Sequence, residues 1–116
     1  FTGEQVQQAG KALLAFGVGV DDLQTTLQRI GDISAGTGKN FNELAVIYGK
    51  ARTAGVLYAE DINQLVEAGI PVIEEFAKQL GTSPANVKKL ASEGKISFGN
   101  LQTAFEDLTS SGGWIH

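Results

Sequence analysis

The chain has 116 residues, enough for one domain that buries a hydrophobic core without disulfides or bound metal. It contains no cysteine and one histidine, His116, which excludes disulfide frameworks, thiolate metal sites and most histidine-based acid–base sites. The formal net charge of −4 weighs against a main role on nucleic-acid phosphates, because proteins of that class are usually basic.

The ends of the chain and its hydropathy indicate whether it is a fragment and whether it contacts a membrane. It begins at Phe1 and contains no methionine, and glycines lie close to its C-terminal end. We therefore expect residues 1–116 to be one domain and a fragment of a longer polypeptide. No apolar run approaches the length of a membrane span and no signal-peptide pattern opens the chain, so we expect no membrane contact for this fragment.

The 15 glycines divide the chain into pieces that each carry helical apolar spacing. A glycine directly after a helix adopts the left-handed backbone at no steric cost, so Gly17, Gly38, Gly55 and Gly81 indicate helix ends. No long β-branched run competes with this pattern. The sequence predicts an all-α fold: a compact array of about seven short helices.

Helix starts accompany these ends. Asn40 and Glu43 have the spacing of a capping box. Three carboxylate pairs, Asp21–Asp22, Glu60–Asp61 and Glu74–Glu75, fit first helical turns, where negative charge is favoured by the helix dipole. Nothing beside these pairs supplies a proton partner, a metal ligand or a substrate cradle, so we favour helix starts over catalysis and expect neither enzyme activity nor a cofactor.

Apolar residues at three- and four-residue steps predict which side chains form the core. Pro71 interrupts one such stripe and predicts the end of one helix and the start of the next. The predicted core consists of Val6, Leu13, Phe16, Leu23, Leu27, Ile30, Phe41, Leu44, Tyr48, Ala51, Ile62, Leu65, Val66, Ile73, Phe76, Leu80, Val87, Leu90, Ile96, Phe98, Leu101, Phe105 and Leu108. Trp114 is expected to fold back onto this core, or else to begin a following segment.

Apolar residues recur in seven separated segments of the chain, six of which also contain glycine: Leu13–Gly17, Gly31–Gly38, Tyr48–Leu57, Asp61–Leu65, Glu67–Pro71, Gly94–Phe98 and Gly112–Trp114. Together they resemble the small helical domain near the start of tail tape measure proteins of phages and prophages. The resemblance covers nearly the whole chain. It identifies no functional residue, because the shared glycines and apolar positions are those that determine a fold.

The resemblance implies a structural role. Tape measure proteins set tail length during assembly and take part in genome delivery, which places them in the virion tail lumen and, before that, in the bacterial host cytoplasm. Expected partners are phage tail proteins, tail assembly chaperones or further copies of the chain. Since glycine and proline breaks imply a compact body with a radius of gyration of roughly 13 Å, we expect this piece to dock on a partner instead of measuring length.

A second hypothesis concerns Phe76–Ile96, which has the spacing of a helix-turn-helix pair with its turn at Gly81–Pro84. Ser83 and Pro84 suit the start of the second helix, which resembles that of excisionase-type DNA-binding proteins. The exposed candidates for DNA contact are Asn86, Lys88, Lys89 and Lys95.

The charge around this pair does not favour DNA. The segment contains no arginine, the commonest reader of guanine, and four lysines face three glutamates over residues 70–99. Such a surface gains little from counterion release. Helix-turn-helix packing is therefore the favoured structural hypothesis, and excisionase-type DNA binding remains the alternative function.

Overall fold

A computed structural model describes residues 3–38 and 40–110, and within them it contains seven α-helices, one 3₁₀ turn and no strand. The helices are α1 (Gly3–Ala15), α2 (Val20–Thr37), α3 (Phe41–Ala54), α4 (Ala59–Glu67), α5 (Val72–Leu80), α6 (Val87–Ser92) and α7 (Phe98–Thr109), and the 3₁₀ turn is Pro84–Asn86. The radius of gyration is 13.5 Å. The predicted all-α array of about seven short helices is confirmed. Trp114 and its neighbouring glycines lie outside the described residues.

The helix ends follow the local chemistry of the sequence. Gly55 and Gly81 end α3 and α5 with φ of 81° and 64°, the left-handed backbone that a residue with a Cβ rarely adopts. The Asn40 side chain starts α3 by accepting hydrogen bonds from the backbone N–H groups of Asn42 and Glu43. Pro71 is the N-cap of α5, so the predicted break between α4 and α5 is confirmed.

The helices form two groups joined by the last one. The long helices α1, α2 and α3 pack against one another, and the short helices α4, α5 and α6 do the same. Helix α7 contacts α2 and α3 in the first group and α5 in the second. None of the helices in the described ranges combines the length and apolar character that a bilayer crossing requires.

Two connecting segments pair beside α7. The backbone N–H of Leu57 donates to the Ile96 carbonyl at 2.8 Å, and that of Phe98 donates to the Gly55 carbonyl at 2.9 Å. This short antiparallel contact joins the end of α3 to the start of α7, although the segments are some forty residues apart in the chain.

Most of the predicted core is buried, but two of its members are exposed. Val6 is 38% exposed because it lies one turn before the buried stripe of α1, which begins at Ala9. Val66 is 42% exposed because it follows the buried Leu65 directly, and one residue rotates a side chain by about 100° around a helix. A further set of residues lies partly buried against the core instead of inside it: Phe16, Leu23, Leu27, Ile73, Leu80, Leu90 and Phe98.

Candidate docking surfaces

The lysine face consists of the four predicted DNA-contact residues, Asn86, Lys88, Lys89 and Lys95. Lys88 and Lys89 are exposed on α6, and Lys95 is exposed in the connection to α7. Asn86 is half-buried in the 3₁₀ turn, where its amide donates to the Thr82 hydroxyl at 3.1 Å. The structure therefore leaves three lysines facing solvent and turns the asparagine back toward α5.

The helix-turn-helix-like pair is formed by α5 and α6. Ala77 on α5 is buried, as are Val87 and Ala91 on α6, and the two helices are in contact. However, α6 has only six residues, which corresponds to a length of about 9 Å. Lys95 also lies 3.9 Å from the carboxylate of Glu93, which partly offsets its charge.

A second surface, the α1–α2 groove, lies between the first two helices. Gly10 forms part of its lining, and a Cβ at this position would lie 3.8 Å from Leu27 on α2, an ordinary van der Waals distance. Leu14 is 44% exposed. The groove has a volume of about 350 Å³ and is lined by Val6, Gln7, Gly10, Lys11, Leu14, Leu23 and Leu27.

The apolar character of the groove continues beyond its walls. Val20 opens α2 with 77% of its surface exposed, and it precedes Leu23 and Leu27 by three and seven residues. These steps place the three side chains on one face of the helix. The result is an apolar strip along α2 in which Val20 is exposed, while Leu23 and Leu27 are partly buried against the core.

The third surface, the central cavity, lies where α2, α3 and α7 meet the α1–α2 connection. It has a volume of about 380 Å³ and is lined by Val18, Gly19, Asp22, Thr26, Tyr48, Arg52, Phe98 and Gln102. Unlike the groove, it carries one cation, one anion, an amide and two hydroxyl groups. Tyr48 and Phe98 form an aromatic wall with ring centroids 5.0 Å apart in an edge-to-face arrangement.

Arg52 is held in place by the end of α1. Its Nη1 donates a hydrogen bond to the Phe16 carbonyl at 3.1 Å. Carbonyl groups at the C-terminal end of a helix lack intrahelical donors, and a positive charge there is favourable. Gly17 makes room for this contact, because a Cβ there would lie 2.7 Å from Nη1. The guanidinium is thus oriented by the backbone while its other N–H groups remain available.

The contact between α1 and α3 depends on a second close approach. A Cβ built on Gly49 would come within 2.9 Å of the Phe16 Cβ, which is closer than real Cβ atoms allow. The ring of Phe16 therefore lies directly on the bare backbone of α3. Tyr48, Gly49 and Arg52 all come from one helix segment, and that segment supplies both the α1 contact and a wall of the central cavity.

The model of the family described as tape measure protein matches residues 2–113 of the chain. The chain belongs to the tape measure protein family. No curated protein and no solved structure matches it. Family membership assigns the protein a structural role as a phage tail tape measure and a location in the virion tail.

The segments typical of tape measure proteins contact one another in this structure. Leu13–Gly17 meets Tyr48–Leu57 through the Phe16–Gly49 and Phe16–Arg52 contacts. Tyr48–Leu57 in turn pairs with Gly94–Phe98 through the two backbone hydrogen bonds beside α7. These contacts hold α1, α3 and the start of α7 together in this structure.

The chemistry of the described tape measure residues supports no metal site. Within residues 3–38 and 40–110, no three histidine, cysteine or carboxylate side chains converge in a way that would hold a metal ion. The carboxylate pairs lie in the first turns of α2, α4 and α5, where the sequence placed them. Sequence reasoning missed the groove and the central cavity, because both depend on how separate helices meet.

Proposed function

We propose that this domain is a docking module of the tape measure protein, which binds another tail protein or a tail assembly chaperone through the α1–α2 groove. The observation that carries the proposal is the exposure of the apolar groove residues Val6 and Leu14, together with that of Val20 at the start of α2. A contiguous exposed apolar surface with polar residues at its rim is typical of interaction sites. The setting of tail length and the part in genome delivery then belong to the whole protein.

The shape of the domain supports docking over measuring. Its principal extents are 40 × 29 × 24 Å, and its longest described helix has 18 residues, a length of about 27 Å. A ruler that spans a phage tail must be far longer. A folded body of this size instead suits an anchor that holds one end of a long chain to the assembly.

The groove fits an amphipathic helix of the partner. Two parallel apolar walls on α1 and α2 can receive side chains spaced three and four residues apart, which is the common helix-in-groove mode of recognition. Covering side chains that are 38% to 77% exposed would contribute on the order of 1 kcal/mol each. Lys11 at the rim can pair with a carboxylate on the polar side of such a helix.

The test combines two groove substitutions with a matched control. Leu14→Gln with Val6→Gln removes the exposed apolar side chains of the groove and keeps helix propensity nearly constant at residue 14. Val66→Gln removes an equally exposed apolar side chain from α4, far along the chain from the groove. Binding to the tail tube protein and the tail assembly chaperone of the same phage gene cluster is measured by calorimetry.

We expect the groove variant to bind at least about tenfold more weakly and the Val66 variant to bind like the wild type. Equal losses in both variants would contradict the assignment of the groove. If light scattering shows a wild-type dimer that the groove variant abolishes, the occupant is a second copy of the chain.

DNA binding by the lysine face is the second candidate, favoured by the packed α5–α6 pair with Lys88 and Lys89 exposed. It predicts duplex binding that falls steeply with added salt and is lost in a Lys88→Ala, Lys89→Ala variant. A gel-shift assay at low salt is the most permissive measurement. Absence of binding there ends this alternative.

A further inference from the structure

The central cavity carries chemistry that neither the tape measure role nor the groove uses. Two of its polar side chains are more than nine-tenths buried: Thr26 is 9% exposed and Tyr48 is 7% exposed. The Tyr48 hydroxyl has a long contact, 3.5 Å, with the Gln102 amide. The hydroxyl groups of Thr26 and Tyr48 both belong to side chains that line the cavity, so a ligand bound there can form hydrogen bonds with them.

Arg52 supplies the positive charge of the cavity. One of its five N–H donors is bonded to the Phe16 carbonyl, which anchors one end of the guanidinium. The guanidinium group of an arginine matches the two oxygens of a carboxylate and always keeps its charge. With the hydroxyls of Thr26 and Tyr48 nearby, the cavity holds more hydrogen-bond donors than acceptors.

Asp22 supplies the negative charge and limits what can enter. No ion pair joins Asp22 to Arg52 in the described part of the chain, so the two charges line one cavity without neutralising each other. A ligand that offers a carboxylate to Arg52 therefore needs an N–H donor for Asp22. A peptide segment with an acidic side chain provides both, since its backbone N–H lies a few bonds from its carboxylate.

We propose that the central cavity is a binding site for an acidic side chain, glutamate or aspartate, presented by a polypeptide segment. Arg52 pairs with the carboxylate, Thr26 and Tyr48 donate hydrogen bonds to it, and Asp22 accepts from the adjacent backbone N–H. The aromatic wall of Tyr48 and Phe98 packs against the methylene groups of the side chain. This site is distinct from the α1–α2 groove, and the proposal does not rest on the docking role of that groove.

The probe is a single glutamate residue blocked at its amino and α-carboxyl ends, titrated into the 116-residue chain and followed by NMR. The side-chain resonances of Arg52 and Gln102 report directly on the cavity. A ligand this small should bind with a dissociation constant of roughly millimolar. Blocked glutamine, whose side chain is neutral, and blocked lysine, whose side chain is positively charged, are titrated in parallel.

We expect saturating shifts with blocked glutamate and at least about tenfold weaker binding of blocked glutamine. Arg52→Gln should abolish the shifts, whereas Arg29→Gln, an arginine on α2 outside the cavity, should leave them unchanged. Equal binding of glutamine, stronger binding of lysine, or absence of Arg52-dependent shifts would overturn the proposal. Binding of free glutamate without binding of the blocked residue would overturn the polypeptide source.

Arg52 also caps α1, so its variant is first checked for folding by circular dichroism. If Arg52→Gln does not fold, the two hydroxyl variants decide. Thr26→Val and Tyr48→Phe keep the side-chain volume and remove only the hydroxyl groups. A several-fold loss of glutamate binding in either variant supports the site, and unchanged binding in both overturns it.

Discussion

The two helix groups of this domain differ in the length of their helices and in how closely those helices pack. Helices α1 to α3 have 13, 18 and 14 residues, and α1 and α3 approach each other closely at Gly49. Helices α4 to α6 have only 9, 9 and 6 residues and are separated by turns. Of the five large apolar side chains exposed in the described residues, three belong to α1 and α2: Val6, Leu14 and Val20. The long-helix group therefore carries most of the surface that a partner would cover.

The difference follows from what each group must bury. A short amphipathic helix has few apolar residues and buries most of them, as α4 does with Ile62 and Leu65 while Val66 is exposed. A long helix has more turns than a neighbouring helix can cover. Apolar side chains on the uncovered turns are therefore exposed. Both the groove and the central cavity lie among the long helices, with α7 closing the cavity on one side.

Helix α7 is the element through which the two groups interact. On the long-helix side, Phe98 and Phe105 lie against the ring of Tyr48, with centroid distances of 5.0 and 5.8 Å. On the short-helix side, Asn100 donates to the Gln79 side chain at 2.8 Å, and Gln79 donates to the Asn100 carbonyl at 3.1 Å. One side is thus held by aromatic packing and the other by a reciprocal pair of hydrogen bonds.

The largest expected effect concerns the close approach in the long-helix group. Gly49→Ala places a Cβ where the Phe16 side chain lies, and either Phe16 or α1 must move. Overpacking of this kind costs typically 1–3 kcal/mol, and the better helix propensity of alanine offsets up to about 1 kcal/mol of it. We expect a loss of about 2 kcal/mol in the free energy of unfolding, measured by chemical denaturation.

Two further variants test whether the loss of stability comes from the contact between Phe16 and Gly49. Gly99→Ala adds a Cβ on α7 where the nearest atom is the Ser97 hydroxyl at 3.4 Å, and it should be neutral or slightly stabilising. In a Phe16→Ala background the Gly49→Ala penalty should disappear, because the atoms that collide are gone. A penalty that persists without Phe16 would show that the crossing does not explain the need for glycine.

A smaller effect is expected where the short-helix group meets α7. Gln79→Ala removes both hydrogen bonds to Asn100 and leaves half-buried polar groups of α7 unpaired, a loss of about 1 kcal/mol. Hydrogen exchange should show faster opening of α5 than of α3, if the two groups open separately. Gln28→Ala, at an exposed position of α2, is the control and should change stability by less than about 0.5 kcal/mol.

The sequence predicted the ends of elements better than the surfaces between them. The positions of Asn40, Gly55, Pro71 and Gly81 follow from capping, left-handed backbone and proline sterics, which act within a few residues. The bond from Arg52 to the Phe16 carbonyl spans 36 residues, and no local pattern specifies it. Burial of Val6 failed as a prediction for the same reason, since it depends on which helix reaches that turn.

The smallest expected effect concerns Glu75 on α5. Its carboxylate is mostly buried, since the side chain is 14% exposed, and its Oε2 atom has no hydrogen-bond partner among the described residues. Burial raises the pKa of Glu75 above its ordinary value near 4.5, and Asp107 on α7 raises it further, while Lys78 at 3.6 Å lowers it. The folded chain therefore binds the Glu75 proton more tightly than the unfolded chain does.

The sign of the pH dependence follows from this preference for the protonated form. The stabilisation from protonated Glu75 is fully present below pH 4.5 and is lost as pH rises through the raised pKa of the folded state. Glu75→Gln keeps the shape without the charge, so it should match the wild type in acid and exceed its stability at neutral pH, by less than the effects above.

Denaturation curves across this pH range test the prediction, with Glu74→Gln as the control that removes an exposed charge from the same helical turn. A Glu75→Gln variant less stable than the wild type at neutral pH would mean that pairing with Lys78 outweighs burial and the repulsion from Asp107. Lys78 is 68% exposed, and exposed ion pairs contribute little, so burial should decide the outcome. The buried carboxylate of Glu75 would then lower the stability of the short-helix group at neutral pH, whereas the stability of the long-helix group depends on the close packing at Gly49.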